Sequence, residues 1–174
     1  MLLIEHRAPA DAVPTERLLL PFELRCKSRL RTQLASGEEA GLFLERGAVL
    51  RAGDKLLGKD GRVVEVAAAP EAVLEARSDD PLLLVRAAYH LGNRHVPVQV
   101  EFGKSGGLLR FGRDHVLGEM LRGLGLDIVE AEAAFEPESG AYGGHGGHAH
   151  PHGHSAEGEG RGPRIHDMLT RHRQ

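Results

Sequence analysis

The chain has a single cysteine, Cys26, no tryptophan, and so few phenylalanines and tyrosines that aromatics make up 4% of its 174 residues. One cysteine excludes an intramolecular disulfide and any thiolate metal cluster within one chain. Its ordinary role is that of a small buried or half-buried filler. The scarcity of aromatics leaves few platforms for stacking bases, and a formal net charge of -3 offers no basic surface to a phosphate backbone. Nucleic acid is therefore not an expected partner. No apolar run approaches the about 18 residues that a membrane-spanning helix needs. The opening Met1-Leu-Leu-Ile-Glu-His-Arg7 also lacks a basic segment followed by a sustained apolar one. A soluble cytoplasmic protein with no membrane partner is expected. The chain contains no H-E-x-x-H either, and that absence counts against a zinc hydrolase.

Histidine is what the sequence has in quantity. Residues 143–154 read Gly-Gly-His-Gly-Gly-His-Ala-His-Pro-His-Gly-His and hold five of the eleven histidines: His145, His148, His150, His152 and His154. No large apolar side chain is available there to offset the entropy of ordering, so a disordered His-rich tail is expected over 138–174. Neutral imidazole is a borderline ligand suited to Ni, Cu, Zn and Fe, and spaced imidazoles can meet many coordination geometries. Transition-metal handling is the direct reading. The alternative is a purification tag or a neutral low-complexity tail, although tags usually carry an unbroken histidine run.

The first part of the chain, 1–72, reads as an all-β small barrel or sandwich. Short apolar runs at Leu2 to Ile4, Leu18 to Phe22, Leu42 to Leu44 and Val63 to Val66 are separated by turn residues. Lys59-Asp60-Gly61 lies between Lys55 to Gly58 and Arg62 to Ala67 as a hairpin requires. Arg25, Lys27, Arg29 and Arg31 alternate and are expected on one solvated strand face. Gly53 to Asp60 nearly matches the phosphate-cradling loop G-x-x-x-x-G-K-[S/T]. Asp60 replaces the magnesium-binding hydroxyl, however, and a hairpin follows where a helix is needed.

Pro70 and Glu71 read as a short linker, after which 73–137 turns to mixed α and β. Val73 to Arg77 predicts a strand. Asp80-Pro81 caps a helix running to Leu91 and stopped by Gly92. Strands follow at Val96 to Phe102 and Leu108 to Phe111. Asp114 caps a second helix ended by Gly125, and Leu126 to Phe135 forms a last strand. The order βαββαβ is the ferredoxin-like α+β unit. His95 sits in the turn after its first helix. On its own it is a surface or hydrogen-bonded histidine, but a homodimer that set it against its mate would bring two imidazoles together.

The runs Ser36-Gly-Glu-Glu-Ala-Gly-Leu-Phe-Leu-Glu-Arg-Gly47, Tyr89-His-Leu-Gly-Asn-Arg-His-Val-Pro97, Asp114-His-Val-Leu117 and Phe135-Glu-Pro-Glu-Ser-Gly-Ala-Tyr142, ahead of a His-rich tail, resemble the urease accessory metallochaperones called UreE. The resemblance implies a homodimer, an N-terminal β domain that binds peptide, and a nickel site at the dimer interface built on His95. It further implies cooperation with the urease accessory GTPase that loads nickel into apo-urease. His115 matches a metal-binding position of some relatives, but Gly112 and Arg113 stand where those relatives carry extra histidines. His90, beside the motif, is a weaker candidate, and His6, His166 and His172 have no counterpart. The implied function is delivery of Ni(II) without catalysis. Two His95 imidazoles would anchor the ion and tail histidines would complete its shell, with Cu(II) and Zn(II) as competing ions. A nickel or zinc storage protein is the main alternative, and a peptide-binding adaptor is another.

Overall fold

Parity organises the first sheet. Leu2 and Ile4, Leu18 and Leu20, Ala40 and Leu42, Leu56, Val64 and Val66 are all buried and all even-numbered. Because side chains alternate along a strand, this pattern sends one face of every strand into a common core. The computed structural model describes residues 1–103 and 106–139. It opens with β1 (Leu2–Arg7), β2 (Glu16–Leu20) and a single-turn helix α1 (Phe22–Arg25). β3 (Arg29–Gln33), β4 (Glu39–Phe43), β5 (Lys55–Gly58) and β6 (Val63–Ala68) follow. Their order in the sheet is β2-β6-β5-β1-β4-β3, with parallel β1–β4 and β2–β6 pairs. Ala35 N donates to Arg17 O at 2.8 Å and ties the chain beyond β3 back to β2, so the sheet is a nearly closed barrel. The expected hairpin at Lys59-Asp60-Gly61 joins β5 to β6, and most of the Gly53 to Asp60 run is therefore strand and turn.

Three local expectations fail, for one physical reason. The run Leu18 to Phe22 does not stay extended, because Pro21 caps α1 and the Glu71 carboxylate accepts a 2.7 Å hydrogen bond from Phe22 N. This turn of helix removes Arg25 from the supposed basic strand face and carries it inward, where it is 0% exposed. Lys27 lies past the helix and pairs with Glu23 at 3.3 Å, which leaves only Arg29 and Arg31 on β3. Cys26 is the residue turned outward; it is exposed, not a filler.

The second sheet is formed by β7 (Pro70–Ser78), β8 (Gln99–Gly103), β9 (Gly106–Gly112) and β10 (Asp127–Ala134), in the antiparallel order β10-β7-β9-β8. Pro70 and Glu71 are thus not a linker but the first residues of β7, paired with Ala134 and Ala133. The helices α2 (Pro81–Gly92) and α3 (His115–Leu124) complete the βαββαβ order. Asp80 accepts from Leu82 N at 2.9 Å and Asp114 from Leu117 N at 3.0 Å, so both predicted caps form. Leu84, Ala87, Leu91 and Leu121 pack on Leu74, Ala76, Leu109 and Phe111 of the sheet. Residues 1–139 make one compact unit. The tail expected to be disordered lies, from residue 140 onward, outside the described residues. No helix among the described residues is long and apolar enough to cross a membrane.

Arg25 pins the barrel to the end of the second sheet. Its guanidinium donates to Leu20 O (3.1 Å), Leu50 O (3.2 Å), the Glu136 carboxylate (2.5 Å) and Phe135 O. Removing one partner of a buried ionic cluster leaves the others desolvated and unpaired. Arg25→Ala is expected to cost about 3 kcal/mol or more in urea unfolding; a cost below about 1 kcal/mol would show that these groups find other partners.

Candidate metal centre

Both helices that pack on the second sheet end in the same turn. After α3, Gly125 N donates to Arg122 O at 2.9 Å and Leu126 N to Leu121 O at 3.2 Å, with Gly125 at φ 102°. After α2, His95 N donates to Gly92 O at 2.9 Å and Val96 N to Leu91 O at 3.2 Å, with His95 at φ 55°. These paired bonds define a Schellman turn, whose left-handed position normally belongs to glycine. Its apolar clasp is present too, since Val96 packs on the core that contains Leu91. Among the described residues His95 is the one non-glycine residue with positive φ. The left-handed conformation costs a side chain about 1–2 kcal/mol. A histidine held in a glycine seat is a candidate for chemistry rather than packing.

The seat also exposes the imidazole, which projects from a turn instead of packing on the helix. His90 is half-buried one turn earlier, with its ring edge-on to Tyr89 at 5.6 Å, and its carbonyl accepts from Arg94 at 2.9 Å. His115 is the first residue of α3, its side chain 84% exposed and its Nδ1 3.9 Å from Glu119 Oε1. His6 is exposed on β1. Among the described residues no three His, Cys, Asp or Glu side chains gather around a common point. This part of one chain therefore presents single imidazoles, not a closed site.

Topology nevertheless brings the candidates to one end of the sheet. β7 runs from Pro70 to Ser78, and α2 returns antiparallel to it, so His95 comes back to the Pro70 end. β9 ends at that end as well, because Gly112 pairs with Val73 and Arg113 N donates to Ala72 O at 3.2 Å. His115 follows directly. β10 finishes there with Ala134 opposite Pro70, and beyond it Glu138 N donates to Val98 O at 2.8 Å, three residues past His95. Residues 135–139 therefore pass the segment that follows the His95 loop. His145, His148, His150, His152 and His154 lie outside the described residues.

Two features of this end escaped the sequence. The left-handed seat was missed, although aligning the two helix ends, Leu121-Arg-Gly-Leu-Gly125-Leu126 with Leu91-Gly-Asn-Arg-His95-Val96, places His95 opposite Gly125. The hydrogen bonds of residues 135–139 were also missed, because their partners are distant in the chain. A third observation concerns α2, whose Leu82, Val85 and Tyr89 share one helix face and are 66%, 64% and 65% exposed. That apolar stripe runs toward the His95 end.

Comparison with known proteins bears on both sheets. The family model described as UreE urease accessory protein, N-terminal domain, matches residues 3–69, and the corresponding C-terminal domain model matches residues 71–160. A urease accessory protein UreE from Dechloromonas aromatica is 50% identical, covering 98% of this chain and 100% of its own length. Another from Alkalilimnicola ehrlichii is 54% identical over 83% of this chain and 86% of its own. One from Cupriavidus necator is 56% identical over 79% and 69%.

The glycine seat yields a test independent of any metal. His95→Gly removes the left-handed penalty and is expected to raise the unfolding free energy by up to about 1 kcal/mol, whereas His95→Ala keeps the penalty and gives no such gain. Chemical denaturation of both variants measures the difference. Equal or lower stability for the glycine variant would mean that the turn is unstrained.

Proposed function

This chain belongs to the UreE family of urease accessory proteins, and from that premise we propose that it carries Ni(II) to apo-urease during maturation of the urease active site. The observation that carries this reading is His95, exposed in a left-handed turn at the end of the sheet where His115 also lies. Neutral imidazoles with water or oxygen ligands suit Ni(II), and Cu(II) and Zn(II) compete for the same donors. One imidazole cannot hold the ion alone. The exposed stripe of Leu82, Val85 and Tyr89 favours an isologous dimer, which brings His95 toward its symmetry mate. His145, His148, His150, His152 and His154 then supply the remaining ligands, with His115 as a further donor from the same end. The cargo leaves without chemistry, as ligands on a glycine-rich segment exchange one at a time with those of an acceptor. The protein works in the cytoplasm and is not an enzyme.

Labour divides along the chain. Residues 73–137 dimerise and hold the ion, residues 138–174 add imidazoles, and the β domain, 1–72, docks the urease accessory GTPase or the apo-urease complex. The edge strand β3 supports the last assignment. Ser28 O accepts from Leu44 N and Leu34 N donates to Glu38 O, so by antiparallel alternation the backbone groups of Arg29, Arg31 and Gln33 face away from β4. A partner peptide can add to this edge as a strand. Arg31→Pro removes an outward N–H and keeps the ladder, so it is expected to weaken GTPase binding in a pull-down. Undiminished binding would place that contact elsewhere.

Nickel titration of the full chain tests the central proposal. Light scattering is expected to report a dimer before any metal is added. Calorimetry is expected to resolve one tight site per dimer apart from several weaker ones. His95→Ala abolishes the tight site and leaves the dimer, while truncation after Gly144 removes the weaker sites. Survival of the tight site in His95→Ala, or binding by equivalent weak sites alone, would favour the nickel or zinc storage reading.

A further inference from the structure

The turns after α2 and α3 share their backbone bonds but differ in what else holds them. The residue before the left-handed seat is Leu124 in the turn after α3 and Arg94 in the turn after α2. Leu124 packs against the apolar core of the second sheet, and the basic residue nearby, Arg122, is turned back to Glu119 at 2.5 Å. Arg94 instead donates from its guanidinium to His90 O at 2.9 Å, a carbonyl of the last turn of α2. The backbones they serve also differ: Gly125 takes φ 102° with no side chain to oppose it, whereas His95 takes φ 55° with one. The way out of the His95 turn is fixed separately. Val96 packs on the core and precedes Pro97, which confines it to extended backbone. An extra side-chain bond is thus found at the turn that is strained, and the relaxed turn does without it.

We propose that Arg94 is a positioning residue, whose guanidinium clamps the turn to α2 and holds His95 in the left-handed seat from which its imidazole is presented to the ion. The proposal rests on the nickel reading above and adds to it a residue that touches no metal. A histidine in a glycine seat tends to relax toward ordinary backbone, and that relaxation swings the turn away from the end of α2. The Arg94 bond opposes the movement, because one of its ends is on the helix and the other in the turn. An ordinary hydrogen bond biases such a balance by about twofold to tenfold. Only molecules with the seat formed present the imidazole correctly, so apparent affinity falls with that fraction. Charge acts in the opposite direction. A guanidinium beside a cation site repels the ion, and losing its charge alone tightens binding.

Arg94 is exposed and lies outside the apolar core, so its loss leaves the fold in place. The Val96 amide, bonded to Leu91 O across the seat at 3.2 Å, reports on the turn by hydrogen exchange. In the full chain, Arg94→Ala is expected to speed that exchange by about twofold to tenfold and to weaken the tight nickel site by about threefold in calorimetry. Arg94→Lys, which keeps a donor for His90 O, should restore most of both. In a His95→Gly background, Arg94→Ala should leave Val96 exchange unaltered, because glycine needs no clamp. A general loss of charge or capping at the end of α2 would persist in that background. The clamp is overturned by equal effects in the two backgrounds, or by Val96 exchange that does not change. Its positioning role is overturned if exchange quickens while tight nickel binding holds or strengthens. His95→Ala run alongside separates the two levels: a tight site surviving there defeats the nickel reading, while Val96 exchange still decides whether Arg94 holds the turn.

Discussion

A buried guanidinium holds this molecule together. Arg25 lies in the barrel wall with its donors spent on two barrel carbonyls, on the carboxylate of Glu136 and on the carbonyl of Phe135. Ion pairs of this kind add little net stability, because desolvation cancels most of the attraction. They are demanding about geometry, however, since an arginine fork is satisfied only when every acceptor is in place. The single turn of helix at Phe22–Arg25 exists to aim that fork. It is itself capped by Glu71 from the first residues of β7, so the constraint runs in both directions between the two sheets. Among the described residues no buried side-chain N or O atom is left without a hydrogen-bond partner, and Arg25 is the largest such group to be satisfied.

From that pin the geometry of the His95 end follows. Fixing Phe135 and Glu136 fixes where β10 is left behind, and Gln99 and Val98 then set the level at which the chain passes the His95 loop. The loop has its own constraint. The same Schellman turn closes both helices, filled by Gly125 at one and by His95 at the other, although only the glycine is at ease in it. Two otherwise equivalent helix ends have thus been resolved differently: one for stability, the other for an exposed imidazole. Stability conceded at one residue is characteristic of a functional position.

Local signals were enough for much of this fold. The helix caps at Asp80 and Asp114, the stop at Gly125, the hairpin at Lys59-Asp60-Gly61 and the βαββαβ order were all legible, because each depends on neighbours a few residues apart. Arg25 was misread for the complementary reason. Its alternation with Lys27, Arg29 and Arg31 is a faithful strand pattern, and only Glu71 and Glu136, far along the chain, make a buried helical position the better one. Pro70 and Glu71 were misread as a linker because Pro suggests a break, whereas their pairing with Ala134 and Ala133 is decided by β10. His95 was legible as a candidate through the run Gly92-Asn-Arg-His95. Its backbone conformation was not, since nothing in the residue type announces a left-handed turn.

Exposure of the candidate ligands bears on why such a site suits transfer. An ion enclosed by donors from one rigid core must lose several bonds together before it can leave, and its affinity then becomes an obstacle to delivery. Here the described part of the chain offers imidazoles singly, from a turn and from a helix start, and no closed group of donors forms within it. A complete shell would need donors beyond those that this part of the chain gathers. Borrowed ligands can be given up one at a time, so the barrier to release is set by the weakest bond rather than by the sum.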